Sequence, residues 1–396
     1  MKALTKISIG FLALAAVALW FTSCSSEDVA QNGGGLNEKD QRVLLLSVNT
    51  GNLGTRSTTA LTDDEKQIND MTVGIYDKSG NYRVVAKLAS DTDDKEASGS
   101  TEGHFKTNTS GVNVKVVTST LQKDDQVLVA VNRGTTAFTS KPNSPTDFTK
   151  ETMDAVTALT GSSSGTTIDA AKFPKFGNAT LPAGSSSTFT ATVKVKNLVS
   201  KVTLEDLSVS FTGPYASATF TPEEIFLLNV PNKLAFSATG QASTSTYLNG
   251  TNIDKTGGNT GTKTDVLAKA ITGASALGSG SASYTDKPIL YTIPNSSTSN
   301  KTILVIAGKF KKDGSATEET VYYPLALNED YSTDPSGAAA DGGTKSQTLA
   351  GKNYKCKVVI KTIGASNPRV TTGPQTAELT VNVADWDDAD QTTTFE

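Results

Sequence analysis

Apolar residues in this chain recur at alternate positions or in short continuous runs, the patterns of half-buried and fully buried strands. The runs fall at 71–76, 112–117, 127–131, 189–195, 202–204, 225–228, 289–293, 302–306, 321–325 and 357–360. Turn-forming residues punctuate them, as in Lys78, Ser79, Gly80 and Asn81, or Lys311, Lys312, Asp313 and Gly314. A further strand, 43–48, sets Leu44, Leu46 and Val48 on one face close to the start of the chain. Helix is a minority element. One is predicted over 149–159, where Thr152, Val156 and Leu159 share a face, and Thr62 with Glu65 predicts a capped single turn.

Short strands joined by Gly- and Ser-rich connections predict an all-β chain of two antiparallel β-sandwich domains with long surface loops and minor helix. The boundary is placed after residues 195–197, giving an N-terminal sandwich at 57–197 and a C-terminal one at 198–396. Stretches rich in Ser, Thr, Gly and Asp at 90–103, 160–169, 240–264, 272–285 and 331–347 lack the apolar surface for a core and read as loops. No internal repeat is evident.

Residues 1–23 have the layout of a secretory signal, with Lys2 and Lys6 ahead of an apolar run from Ile7 to Phe21 that is too short for a spanning helix. Phe21, Thr22, Ser23 and Cys24 resemble the lipobox of bacterial lipoproteins, in which the cysteine is acylated; an ordinary signal peptide with a chance cysteine is the alternative. The polar residues after Cys24 and the glycines at 33–35 read as a tether, so 24–56 precedes the first domain. With Cys24 acylated, only Cys356 remains and no intrachain disulfide can form. The net charge of -4 with interspersed signs offers no basic patch for a nucleic acid.

No residue is assigned a catalytic, cofactor-binding or metal-binding role from the sequence. The only histidine, His104, has no partner pattern for a triad or a zinc site and reads as a surface residue. Cys356 lies in a strand between lysines and reads as a half-buried small residue. Residues 257–264 imitate a phosphate loop without its Gly-Lys-Ser/Thr element. Residues 91–94 and 385–388 are acidic enough to attract calcium but lack the EF-hand glycine and closing glutamate. Distant carboxylates could still meet as a glycosidase pair, which keeps an enzyme as a remote third reading.

The ordered segments resemble a known family, the type V fimbrillins, FimA/Mfa-like major fimbrial subunits exported as lipoproteins. Residues 64–73 resemble its K-I-N-D-L-T-V opening strand and 127–132 its V-Y-A-I-V-N strand. Residues 226–232 and 291–295 are similar to its Pro-containing strand ends. Asn353, Val358 and Ile360 resemble its N-x-x-Y-x-V-x-I strand, although Cys356 stands in place of the tyrosine, and 379–386 its terminal V-x-V-x-x-W strand.

The resemblance implies sandwiches of transthyretin-like, Greek-key type and a non-enzymatic fimbrial role in adhesion. It further implies lipidation at Cys24 and cleavage by an Arg-specific protease. Arg56 is the better-placed site, since a cut at Arg42 would leave the first strand attached and Arg83 lies inside a strand. The cut would remove the strand carrying Leu44, Leu46 and Val48. A terminal donor strand carrying Leu379, Val381, Val383 and Trp386 would then fill the groove of the next copy. Strict alternation over 377–383 suits strand addition. Its three large apolar residues would contribute about 5–9 kcal/mol on burial. The implied partners are further copies of the chain, anchor and tip subunits, the protease, and the outer membrane through the lipid before processing. The rival is a lipid-anchored surface module that binds glycans or host components.

Overall fold

Strands dominate the computed structural model, which describes residues 41–50, 61–98, 102–106, 111–134, 138, 141–183, 187–244, 246–251, 261–281, 283–284, 286–314, 317–329, 339, 344–369 and 376–385. The first half contains β1 (Arg42–Thr50), β2 (Asp70–Tyr76), β3 (Tyr82–Asp91), β4 (Ala97–Ser98), β5 (Gly103–Lys106), β6 (Val112–Thr118), β7 (Gln126–Val131), β8 (Thr152–Asp154), β9 (Lys175–Thr180) and β10 (Thr188–Asn197). All except β8 join one nine-stranded sheet in the order β4-β6-β1-β10-β9-β7-β2-β3-β5. Lys95, just before β4, exchanges backbone hydrogen bonds of 3.0 and 2.9 Å with His104 of β5, which links the two ends of that order. The sheet thereby curls around its own core.

Alternation decides what enters that core. Val127, Val129 and Val131 of β7 face it, whereas Leu128 and Ala130 point the other way into a second cluster. This strand is apolar on both faces, which is why its sequence runs continuously instead of alternating. The outer face is covered partly by α2 (Pro145–Thr149) and α3 (Ala155–Thr160), which follow the single turn α1 (Asp63–Lys66). Phe148 of α2 lies so close to β2 that a Cβ at Gly74 would sit 2.7 Å from its ring. Glycine is required by that approach.

The predicted helix over 149–159 does not form as one element. Thr152, Met153 and Asp154 instead pair as β8 with the later segment 233–235, and the chain turns helical only from Ala155. The long-range ladder overrides a weak local helical preference. The predicted turn at Thr62 does form: Thr62 Oγ1 accepts from the Glu65 amide and Glu65 Oε2 from the Thr62 amide at 2.8 Å, a complete capping box.

The second half contains β11 (Ser200–Val209), β12 (Thr219–Leu228), β13 (Val230–Pro231), β14 (Lys233–Ala235), β15 (Tyr247–Asn249), β16 (Thr262–Lys263), β17 (Ala268–Ala270), β18 (Leu277–Gly278), β19 (Ile289–Thr292), β20 (Ile303–Lys311), β21 (Glu319–Ala326), β22 (Lys352–Ile360) and β23 (Ala377–Asp385). A four-stranded sheet, β19-β11-β22-β23, and the sheet β17-β12-β20-β21, in which β18 also pairs with β12, bury a shared core. Several loops of low complexity carry short strands, among them β4, β15, β16 and β18. Sheet membership changes between Asn197 and Ser200.

Most neighbouring strands are antiparallel, but β1 runs parallel to β10 and β11 parallel to β22, so the sheets are mixed. Hairpin turns made the antiparallel neighbours predictable; these parallel pairs join strands more than 130 residues apart, for which no turn gives a signal. Cys356 is fully buried, not half-buried, and burial pushes its thiol up to about 12.

Two outcomes follow from this packing. Gly308→Ala places a Cβ 2.2 Å from the Thr221 carbonyl in the β12–β20 ladder and will lower the melting temperature by several degrees, whereas Gly314→Ala, with nothing within 4 Å, leaves it unchanged. Iodoacetamide at pH 8 will leave Cys356 unlabelled in the folded chain and modify it after denaturation, as mass spectrometry reads directly.

Candidate functional site

The first strand of the chain lies inside the sheet, with a neighbour on either side. β1 pairs antiparallel with β6, from Arg42 opposite Thr118 to Val48 opposite Val112. On its other side it pairs parallel with β10, from Val43 opposite Thr188 to Thr50 opposite Val195. Leu44, Leu46 and Val48 are 0, 2 and 0% exposed and pack with Val114, Val116, Phe189 and Val193 in the sheet's own core. Leu45, Ser47 and Asn49 point outward, where Ser47 Oγ donates to Asn113 Oδ1 at 2.6 Å. The predicted strand 43–48 is therefore longer, and Arg42 is its first residue.

The fit is imperfect at one end. Thr50 is the fourth inward residue, 4% exposed, and its hydroxyl has no hydrogen-bond partner. An unmatched buried hydroxyl costs about 1–3 kcal/mol. The walls of the slot, β6 and β10, were recognisable as strands from their alternation, but nothing local identified them as the neighbours of β1.

Three of the four described arginine side chains are engaged. The Arg42 guanidinium donates to the Leu121 carbonyl, Arg83 pairs with Asp125 at 3.2 Å and Arg133 with Glu151 at 2.8 Å. Arg83 lies within β3, and Asp125 is 1% exposed. Arg56 and Cys24 lie outside the described residues.

β23 is an edge strand, paired with β22 alone, from Ala377 opposite Ile360 to Asp385 opposite Lys352. Ala377, Leu379 and Val381 are buried in the second core, and Val383 is partly buried against it. Trp386 lies outside the described residues. The terminal strand is thus folded back on its own sheet in this state.

Two features noted separately in the sequence meet in space. Because β5 lies parallel to β3, His104 stands beside Asp91, with Nδ1 3.0 Å from Oδ2, and ligand atoms of Asp91, Asp93 and His104 lie within 4.8 Å of one another. The two carboxylates are exposed, and a surface hydrogen bond accounts for the arrangement. Of the residues that imitate a phosphate loop, 257–260 lie outside the described set and 261–264 within it; Thr262 and Lys263 belong to β16. Among the described residues no helix is long and apolar enough to cross a membrane.

The sequence matches no protein-family model and no curated protein. Solved structures do match the fold. A fimbrilin, FimA, from Porphyromonas gingivalis is 14% identical over 88% of this chain and 99% of its own, with a TM-score of 0.58. A candidate cell adhesion protein from Bacteroides eggerthii is 19% identical over 87% of this chain and 96% of its own, at 0.60. Another from Parabacteroides distasonis is 16% identical over 87% and 100%, at 0.57. At these identities the likeness is one of architecture: this chain has the β-sandwich fold of the fimbrillins.

Proposed function

We propose that this chain is a structural fimbrial subunit, exported as a lipoprotein, activated by cleavage after Arg56 and polymerised by strand exchange in support of adhesion at the cell surface. One observation carries the reading: β1 fills a slot with a wall on each side, yet its only covalent link to the rest of the sheet runs through residues 51–60. Cutting that link turns β1 from a tethered element into a separate ligand and removes its effective concentration. The same cut would separate the lipid on Cys24 from the subunit.

Pairing favours the exchange that would follow. Moving β23 from its own sheet into the slot of another copy gives up one ladder, to β22, and gains two, to β6 and β10. Its alternate residues Leu379, Val381 and Val383 match the spacing of Leu44, Leu46 and Val48, so apolar burial is exchanged like for like. Arg42, Arg83 and Arg133 lie in or beside strands and are engaged by side-chain contacts, which supports Arg56 over these three as the accessible site. Sandwiches at 57–197 and 198–396 and partnership with anchor and tip subunits belong to the same reading, as does a place at the outer membrane before processing.

A second reading draws on the seating of β23. Its burial in the second core fits a permanently closed, lipid-anchored module that binds glycans or host components.

Intact-mass analysis of surface protein, beside a gel of unheated sample, separates the two. The subunit reading expects a chain beginning at Ser57 and multimers that survive SDS; Arg56→Ala will leave a lipidated chain beginning at Cys24 with no ladder. A wild-type chain that keeps Cys24 and runs as a monomer overturns it. Thr50→Val, by removing the unmatched hydroxyl, will raise the melting temperature of the uncut chain by about 2 °C and slow its polymerisation after cutting.

A further inference from the structure

We propose that residues 61–69 form a strap that locks the two sheet systems into one rigid body, with the Glu65 carboxylate as its pin. On the first side, Asn132 holds the strap. Its Oδ1 accepts from the Asn69 amide at 2.8 Å, and its Nδ2 donates to the Gln67 carbonyl at 3.0 Å. Lys175 Nζ, 1% exposed as a residue, donates to the same Gln67 carbonyl at 3.2 Å, and Asn69 Nδ2 donates to the Ala171 carbonyl at 2.6 Å. Asn132 can do this because it sits at the end of β7 in the left-handed region, φ 56°.

On the second side, Glu65 reaches a different sheet. Its Oε1 lies 2.9 Å from Lys201 Nζ of β11 and accepts from the Tyr291 hydroxyl of β19 at 3.3 Å. The Glu65 side chain is 2% exposed and that of Lys201 14%, so little water screens the pair. Burial and the neighbouring carboxylate hold the Tyr291 phenol well above its ordinary range, which keeps it a hydrogen-bond donor at any working pH. The Tyr291 ring packs edge-on against Phe173 at 4.9 Å, and Leu61 is buried in the shared core.

Two other links join the same halves: the short connection between β10 and β11, and the β8–β14 ladder. A single connection would act as a hinge. Three separate ones fix orientation. The strap begins after residues 51–60, and the hydrogen bonds and ion pair named above join it to the end of β7, β11, β19 and residues 171–175, not to β1. The inference rests on these contacts and stands whether or not the chain is cut.

The test is a double-mutant cycle on the full, uncut chain. Glu65→Gln keeps the side-chain length and an acceptor for the Thr62 amide while removing the charge, and Lys201→Met removes the other partner. Each is expected to lower the melting temperature by several degrees, and the double variant by no more than the larger single loss. Hydrogen exchange in 61–69 and in β11 and β19 should quicken together by about tenfold, with the β20–β21 ladder unchanged. Additive losses, a silent Glu65→Gln, or faster exchange confined to 61–69 would reduce Glu65 to a local helix cap and overturn the proposal. Should Glu65→Gln fail to accumulate, Tyr291→Phe with Lys201→Met serves the same cycle.

Discussion

Pairing of β1 with both β6 and β10 is the constraint on which the first half depends. Its two neighbours do not pair with each other, and the order of the nine-stranded sheet passes through β1. Every other strand of that sheet lies downstream of residue 69, so the early segment closes a structure built by later ones. Two ladders and three apolar side chains make the closure stable, while one short connection makes it separable. Stability and separability arise from different features.

The polar interior near the junction answers a second need. Residues 61–69 make no long ladder of their own, yet Leu61, Glu65 and Ile68 are buried, and unpaired backbone groups beside them are costly. Asn132, Lys175 and the Glu65 pair supply partners from three directions. The sheets on the two sides therefore share a core as well as this network.

The strand positions were largely legible, because alternation and β-branched runs report burial directly. The capping box at Thr62 and Glu65 was legible too, since both bonds lie within four residues. The helix over 149–159 was misread because Thr152, Met153 and Asp154 are claimed by partners some 80 residues away. The parallel pairs were missed for a similar reason: a turn announces an antiparallel neighbour, but nothing local announces that residue 44 will lie beside 189. The meeting of His104 with Asp91 depends on how β5 returns to β3, and neither segment carries a sign of it.

By itself, then, the sequence determined the kind of element at most positions and which face of each strand is apolar. These are properties of the single chain: side-chain volume, branching and the period of two. Leu44, Leu46 and Val48 were assigned to one buried face by that period alone. The tertiary structure decided which strands became neighbours, that β1 would have two walls and β23 one, and that Glu65 would meet Lys201. Those outcomes depend on distances between residues far apart in the chain, which composition and local pattern do not encode one segment at a time.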